Sequence, residues 1–358
     1  MAGGSKARNF APLIVFFAVE AVITGLLFLW LMELSSQLGT VDYEGQAVTV
    51  VTLGILAYTF GLRHAVDADH LAAIDNATRK LTQEGKDARF AGLFFSLGHS
   101  SVVIILSVLL MVSTRAIESY IPELQAIGGL IGTLISAGFL YVIGLLNFLV
   151  FFEIYEIYKR LRTEGLKEEE LSQLLLKRGF MARYFGRLFK IVDKQYYLYP
   201  IGFLFGLGFE TASETALLAL SAIASATTSV PLYSLLVFPL LFAAGMTTLD
   251  TADGFFMTSA YRWAFDKPLR KIWYNLTMTI ISVMVAWVVG TLETLGLIQS
   301  EFNLSGGLWD WIATVMEVWW LNLGVMIVAL FAATWAVSIA VYKLRVERLE
   351  GLTKEQRL

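Results

Sequence analysis

Cysteine is absent from all 358 residues, which excludes disulfides, zinc ribbons and thiolate metal sites. A soft-metal site would have to rely on the thioethers of its ten methionines. Charge is also scarce. Asp, Glu, Lys and Arg make up 16% of the chain, against about 25% in a soluble globular protein. No Walker-type phosphate loop is present, so the chain is not expected to hydrolyse nucleotide. Histidine is the rarest ionisable residue, with three copies and none in a loop. The net charge of −3 says less than the way charge is arranged.

Apolar residues make up 57% of the chain and fall into long runs separated by short charged clusters. Runs of about 20 residues suit membrane-spanning helices. Met1 to Asn9, with Lys6 and Arg8, leads into an apolar stretch too long for a signal-peptide core, which reads as the first span. The expected fold is all-α and polytopic, with eight transmembrane helices over 10–33, 47–76, 90–114, 124–154, 197–225, 230–261, 273–298 and 318–342. These form a single transporter domain over 1–358, with a cytoplasmic connecting segment at 155–196. Within that segment, 166–175 reads as a short amphipathic helix, and the basic stretch from Lys177 to Lys194 as a solvated connector or a contact with anionic headgroups.

Lys and Arg concentrate in alternate loops: Arg79, Lys80, Lys86 and Arg89 after span two, Lys159 to Lys194 after span four, Arg262 to Lys271 after span six. The other loops are acidic, with Arg115 their sole basic residue. Positive residues stay on the cytoplasmic side, so both termini are expected there.

Ionisable residues inside a bilayer are costly, by about 2.5 kcal/mol or more each, and by default mark function. This chain places Glu20, Arg63, His64, Asp67, Asp69, His70, Asp75, His99, Glu210, Glu214, Asp250 and Asp253 within its expected spans. Counted from the cytoplasmic anchors, five helices bring such a group to about 14–18 Å depth at 1.5 Å per residue. That is near the midplane of a roughly 30 Å core, where transporters place their binding sites. Acids outnumber bases, with Arg63 the one fixed positive charge in this set, so the cluster calls for a cation. Imidazole with carboxylate suits Ni, Co, Zn, Fe or Mn rather than Ca or Mg.

The candidate metal-binding residues are His64, Asp67, Asp69, His70, His99, Glu210, Glu214, Asp250 and Asp253. If span two stays helical, His64, Asp67 and His70 share one third of its circumference. Asp69 would then point away, to orient a histidine or to reach the metal if the helix unwinds.

The stretch Arg63-His64-Ala65-Val66-Asp67-Ala68-Asp69-His70 resembles the signature of the nickel/cobalt transporter family. Leu97-Gly98-His99-Ser100-Ser101-Val102-Val103 is similar to its second motif, Leu207-Gly208-Phe209-Glu210-Thr211-Ala212-Ser213-Glu214 to its third, and Phe242 to Thr251 to its fourth. Glu210 departs from the Asp common in that family. The resemblance implies uptake of Ni2+ or Co2+ as transported substrate, with no cofactor and no enzyme activity. The expected partners are the metal ion and the lipid bilayer, without nucleic acid, in a cytoplasmic membrane.

Two patterns suggest an internal relationship of spans two and three to spans six and five. Asp67 precedes Arg79 by the same interval as Asp250 precedes Arg262, and Phe95 to His99 parallels Phe205 to Phe209. Glycines 206, 208 and 245 suit close helix approach or a break near the site. Two competing classes are an exporter of the same metals and an intramembrane metalloenzyme. Against the first stands the lack of a histidine-rich loop, and against the second the lack of a His-Glu-x-x-His motif.

Overall fold

The structure is a computed structural model that describes residues 3–43, 46–112, 121–164, 190–208, 217, 231–265 and 268–341. Helix α1 (Gly3–Leu38) is followed by a two-stranded antiparallel hairpin, β1 (Thr40–Tyr43) and β2 (Gln46–Thr49), in which Val41 pairs with Val48. Then come α2 (Val50–His64), α3 (Ala68–Gln83), α4 (Ala91–Val112) and α5 (Ile121–Glu164). A 3-10 turn (Gln195–Tyr197) leads into α6 (Leu198–Gly206). The remaining long elements are α7 (Val237–Phe265) and α8 (Pro268–Glu301). Finally α9 (Leu308–Thr314) passes through a π-helical turn (Val315–Trp319) into α10 (Trp320–Val341).

Among the described residues, five helical segments are long and apolar enough to cross a membrane: Ala11–Leu38, Ala91–Leu109, Ile127–Glu156, Tyr233–Arg262 and Leu276–Glu301. A sixth arises if Leu308–Trp319 and Asn322–Val337, bent by 75°, count as one span. The protein is therefore helical and multi-pass. On α1, Ile14, Val15, Val22 and Leu29 are exposed, as a lipid-facing helix requires, since such a surface in water would be an aggregation liability.

Expected span two is not one helix. The Thr49 hydroxyl caps α2 by accepting the Thr52 N–H at 3.2 Å, but the helix stops at His64 and restarts at Ala68. Asp67 between them is extended, at φ −67° and ψ 146°. Tight bonds from Val66 N to Arg63 O (3.1 Å) and from Asp67 N to His64 O (3.0 Å) absorb part of the interrupted ladder. The break lies against α10, where a Cβ on Gly324 would overlap the Val66 carbonyl. Neither Pro nor Gly lies between His64 and Ala68, so tertiary contact replaces local propensity.

Glycines set the helix crossings. A Cβ at Gly61 on α2 would strike the Phe242 carbonyl of α7, and one at Gly245 would strike the Tyr58 carbonyl of α2. The crossing of α4 and α6 repeats this arrangement, with Gly98 against Tyr199 and Gly202 against Phe95. Each glycine faces the carbonyl three residues before its counterpart, so both crossings are locally two-fold. The local two-fold makes Gly98 equivalent to Gly202 and Phe95 to Tyr199. Gly206 abuts the His99 carbonyl and Gly208 the backbone of Gly132.

The apolar core has two parts. One gathers Ala72, Ile74, Ala77 and Leu81 of α3 with residues of α5 and α8; the other joins α1, α2 and α7 through Leu31, Leu53, Phe238 and Phe242. The first ten residues of the expected connector continue α5 to Glu164, and the expected helix at 166–175 lies outside the described residues. At the α3–α4 loop, Arg89 Nη2 donates to Asp87 Oδ2 at 2.7 Å, Arg262 Nη2 to Asp87 Oδ1 at 3.2 Å, and Lys80 Nζ to the Val192 carbonyl at 2.7 Å. These bonds hold the ends of α3, α4 and α7 together.

Candidate metal centre

The broken helix brings the histidines together. His64 is the last residue of α2, His70 lies in the first turn of α3, and His99 stands midway along α4. Their ring centroids form a near-equilateral triangle with sides of 4.6, 4.7 and 4.7 Å. All three are buried, and one nitrogen from each lies within 4.8 Å of the others. Phe95 packs edge-on against His70 at 4.9 Å and Phe242 stands 5.7 Å from His64, so the cluster has apolar walls.

Hydrogen bonding sets the proton on His64. Its Nδ1 lies 2.8 Å from Asp67 Oδ2, so the N–H faces the carboxylate and Nε2 carries the lone pair. That Nε2 is 2.9 Å from His99 Nε2. Asp67 spends its carboxylate on His64 rather than on capping α3, for it makes no side-chain cap bond. The condition on which His64, Asp67 and His70 would share one helix face, that span two stays helical, is not met. Convergence comes from the break, and Asp67 orients a histidine.

His70 is fully buried, and neither of its ring nitrogens makes a hydrogen bond among the described residues. Its Nδ1 lies 3.6 Å from Oδ2 of Asp250 on α7, whose own carboxylate oxygens also lack hydrogen-bond partners there. Leaving buried polar atoms unsatisfied costs about 1–3 kcal/mol each, and such groups call for an explanation in a ligand or unseen partner.

The other candidates divide. Asp253 lies one turn beyond Asp250, within electrostatic reach of Asp250 and of Asp75. Asp69, partly exposed, lies within electrostatic reach of Glu293 on α8. Glu20 on α1 rests against Thr248 of α7. Glu210 and Glu214 fall outside the described residues. Arg63, read from the sequence as the fixed positive charge of the cluster, is exposed.

Buried cations stand instead further along α3, where Arg79 is 0% and Lys80 2% exposed. Arg79 is the one tied to side chains of α7 and α8. It donates from Nε to Ser282 (3.0 Å), from Nη1 to Thr279 (3.0 Å) and from Nη2 to the Tyr261 hydroxyl (2.9 Å). Tyr261 in turn donates to Asp75, and Asn147 donates to Asn76 Oδ1 at 2.8 Å. Glu293 was missed in the sequence although it stands inside expected span seven. It is buried, and both of its oxygens lie 2.9 Å from the Ser136 hydroxyl. A carboxylate in an apolar run from Trp287 to Leu297 was the signal available.

Residues 50–341 match the family described as NicO, high-affinity nickel-transport protein. The chain is 48% identical over 292 residues to the high-affinity nickel transport protein of Cupriavidus necator, covering 81% of this chain and 83% of the relative. It is also 48% identical over 297 residues to the nickel transporter NicT of Mycobacterium tuberculosis, covering 82% and 78%. To the cobalt transport protein NhlF of Rhodococcus rhodochrous it is 33% identical over 334 residues, covering 92% and 94%. No solved structure matches.

Proposed function

The chain belongs to the nickel/cobalt transporter family, the NicO high-affinity nickel-transport proteins, and from that membership we propose that it imports Ni2+ or Co2+ across the cytoplasmic membrane through His64, His70 and His99. It is a transport protein, not an enzyme, and the metal is its substrate rather than a cofactor. The observation that carries the site is the pair of unsatisfied nitrogens on fully buried His70 beside two further imidazoles.

The donor set, three imidazoles whose nitrogens lie within 4.8 Å of one another with carboxylates beside them, is of the nitrogen and oxygen kind that nickel(II) and cobalt(II) accept. Binding would move the His99 proton to Nδ1, freeing Nε2, while Asp67 keeps His64 in the required tautomer. Asp250 supports His70 from α7 or adds an oxygen ligand. Asp69, Glu210 and Glu214 complete the acidic surroundings as ligands or as stations on the path, and Asp253 as a station outside the histidine centre.

Eight spans with both termini cytoplasmic account for the alternation of basic and acidic loops. Import needs no nucleotide. A divalent ion gains about 4.6 kcal/mol per 100 mV of inside-negative potential, enough for about a thousandfold accumulation. Uptake of labelled nickel and cobalt into proteoliposomes with such a potential tests the reading. Saturable uptake by the wild type, lost in His70→Ala, is expected. A wild type that binds metal and moves none would overturn it.

A further inference from the structure

Beyond the histidines, toward the basic end of the bundle, lies a second set of acids, Asp75 fully buried and Asp253 partly so. Helices α3 and α7 run parallel there: Tyr261 near the end of α7 meets Asp75 and Arg79 of α3, and Arg262 reaches Asp87 just past α3. Asp75 follows His70 by five residues and Asp253 follows Asp250 by three. At 1.5 Å per residue these are steps of about 7.5 and 4.5 Å in the same direction. Asp253 feels the charges of both Asp75 and Asp250.

Asp75 is completely buried. Its Oδ1 accepts the Tyr261 hydroxyl, while its Oδ2 makes no hydrogen bond among the described residues. The same holds for buried Oδ2 of Asp253 and for Oγ1 of Thr78, one turn past Asp75. Arg79 is the guanidinium at this level, and it donates to the hydroxyls of Ser282, Thr279 and Tyr261. Among the described residues it makes no direct ion pair with either acid. Two carboxylates with free oxygens thus lie beyond Asp250, and the one guanidinium at this level reaches Asp75 only through the Tyr261 hydroxyl.

We propose that Asp75 and Asp253, with Thr78, form a second, all-oxygen divalent-cation station on the cytoplasmic side of the histidine centre, reached through Asp250. The proposal rests on the reading of the histidines as the transport site. Its chemistry differs from theirs. Carboxylate and hydroxyl oxygens suit hard cations and let the ion keep part of its water, so the station holds nickel less tightly than three imidazoles do. A weaker site beside a tight one lets an ion leave in steps, as multi-site conduction requires. The competing role for Asp75 is that of a structural counter-ion to Arg79, whereas the Oδ2 of Asp253 makes no hydrogen bond among the described residues.

Mn2+, a hard cation with an electron paramagnetic resonance signal, separates the two sites in purified full-length protein. In a His70→Ala background one Mn2+ per chain is expected to bind. Adding Asp253→Asn is expected to weaken that binding about tenfold or more, the scale of losing a supporting carboxylate. Asp253→Asn alone should leave nickel affinity within about threefold while nickel uptake falls about tenfold. Asp75→Asn should reproduce the Mn2+ loss, with the thermal midpoint of each variant reporting that it is folded. Mn2+ binding unaffected by Asp253→Asn would overturn the station. So would a loss of nickel affinity as deep as that of His70→Ala, since Asp253 would then belong to the histidine centre. A wild type that binds Mn2+ at the acids but no nickel would instead refute the histidine reading.

Discussion

Replacing Asp67 by Asn isolates what its charge does for His64. The side chain keeps its size and an oxygen that can accept the Nδ1 proton, so the 2.8 Å contact can survive as a neutral hydrogen bond. A hydrogen bond to a charged group contributes about 1.5–3 kcal/mol and a neutral one about 0.5–1.5. The difference, about 1–2 kcal/mol, corresponds to a loss of about 5- to 30-fold in nickel affinity at 1.4 kcal/mol per tenfold. Measured losses on removing partners of metal-bound histidines, about 10- to 100-fold, overlap this range. Burial favours the upper half, because Asp67 is 5% exposed and solvent screens its field little. Titration of detergent-solubilised protein with nickel against a competing chelator measures the affinity. A loss as large as that of His70→Ala would mean that Asp67 binds the metal directly. Unchanged affinity would mean that the His64 tautomer needs no carboxylate. Either result refutes the orienting role.

Two further predictions test the frame around the site. Gly324→Ala should lower stability by about 1–3 kcal/mol, the usual cost of overpacking, and reduce nickel affinity, because the new Cβ would push on the Val66 carbonyl in the helix break. Gly25→Ala, with nothing within 4 Å of its Cβ, serves as control and should do neither in a thermal-melt comparison. Asp87 reports on the loop that joins α3 to α4. The Arg89 guanidinium holds its carboxyl below the usual range, against an opposing effect of burial and with help from the Arg89 N–H and Arg262. A depressed folded value stabilises the protein above the unfolded value of about 3.9. That gain disappears as pH falls through the folded value. The pair is of the surface kind, so Asp87→Asn should destabilise by about 1 kcal/mol or less at pH 7, and the difference from wild type should close below about pH 4. A difference that widens on acidification would count against the pairing.

The sequence made some of this legible for physical reasons. Histidines confined to apolar runs, at matching intervals from basic residues, had few explanations other than a shared centre, and they do converge. The break in span two was hidden. It depends on the Asp67–His64 bond and on Gly324, which follows Val66 by 258 positions, and a helical period carries no trace of either. Arg79 misled the reading differently. It served as a surface anchor for depth and orientation, yet it is buried and satisfied by hydroxyls from α7 and α8. A polar stretch after an apolar run reads as a loop unless its partners in distant helices are known. Lys86, Arg89 and Arg262 still lie at the same end, so the charge asymmetry does not rest on Arg79. Glu293 is legible in the sequence as a carboxylate inside expected span seven.

The central claim is that three imidazoles hold the transported ion, and nickel-edge X-ray absorption on the nickel-loaded protein tests it most directly. The account predicts a first shell containing three imidazoles at about 2.0–2.1 Å, with one imidazole fewer in His99→Ala. A shell of oxygens alone, unchanged by that substitution, would contradict it.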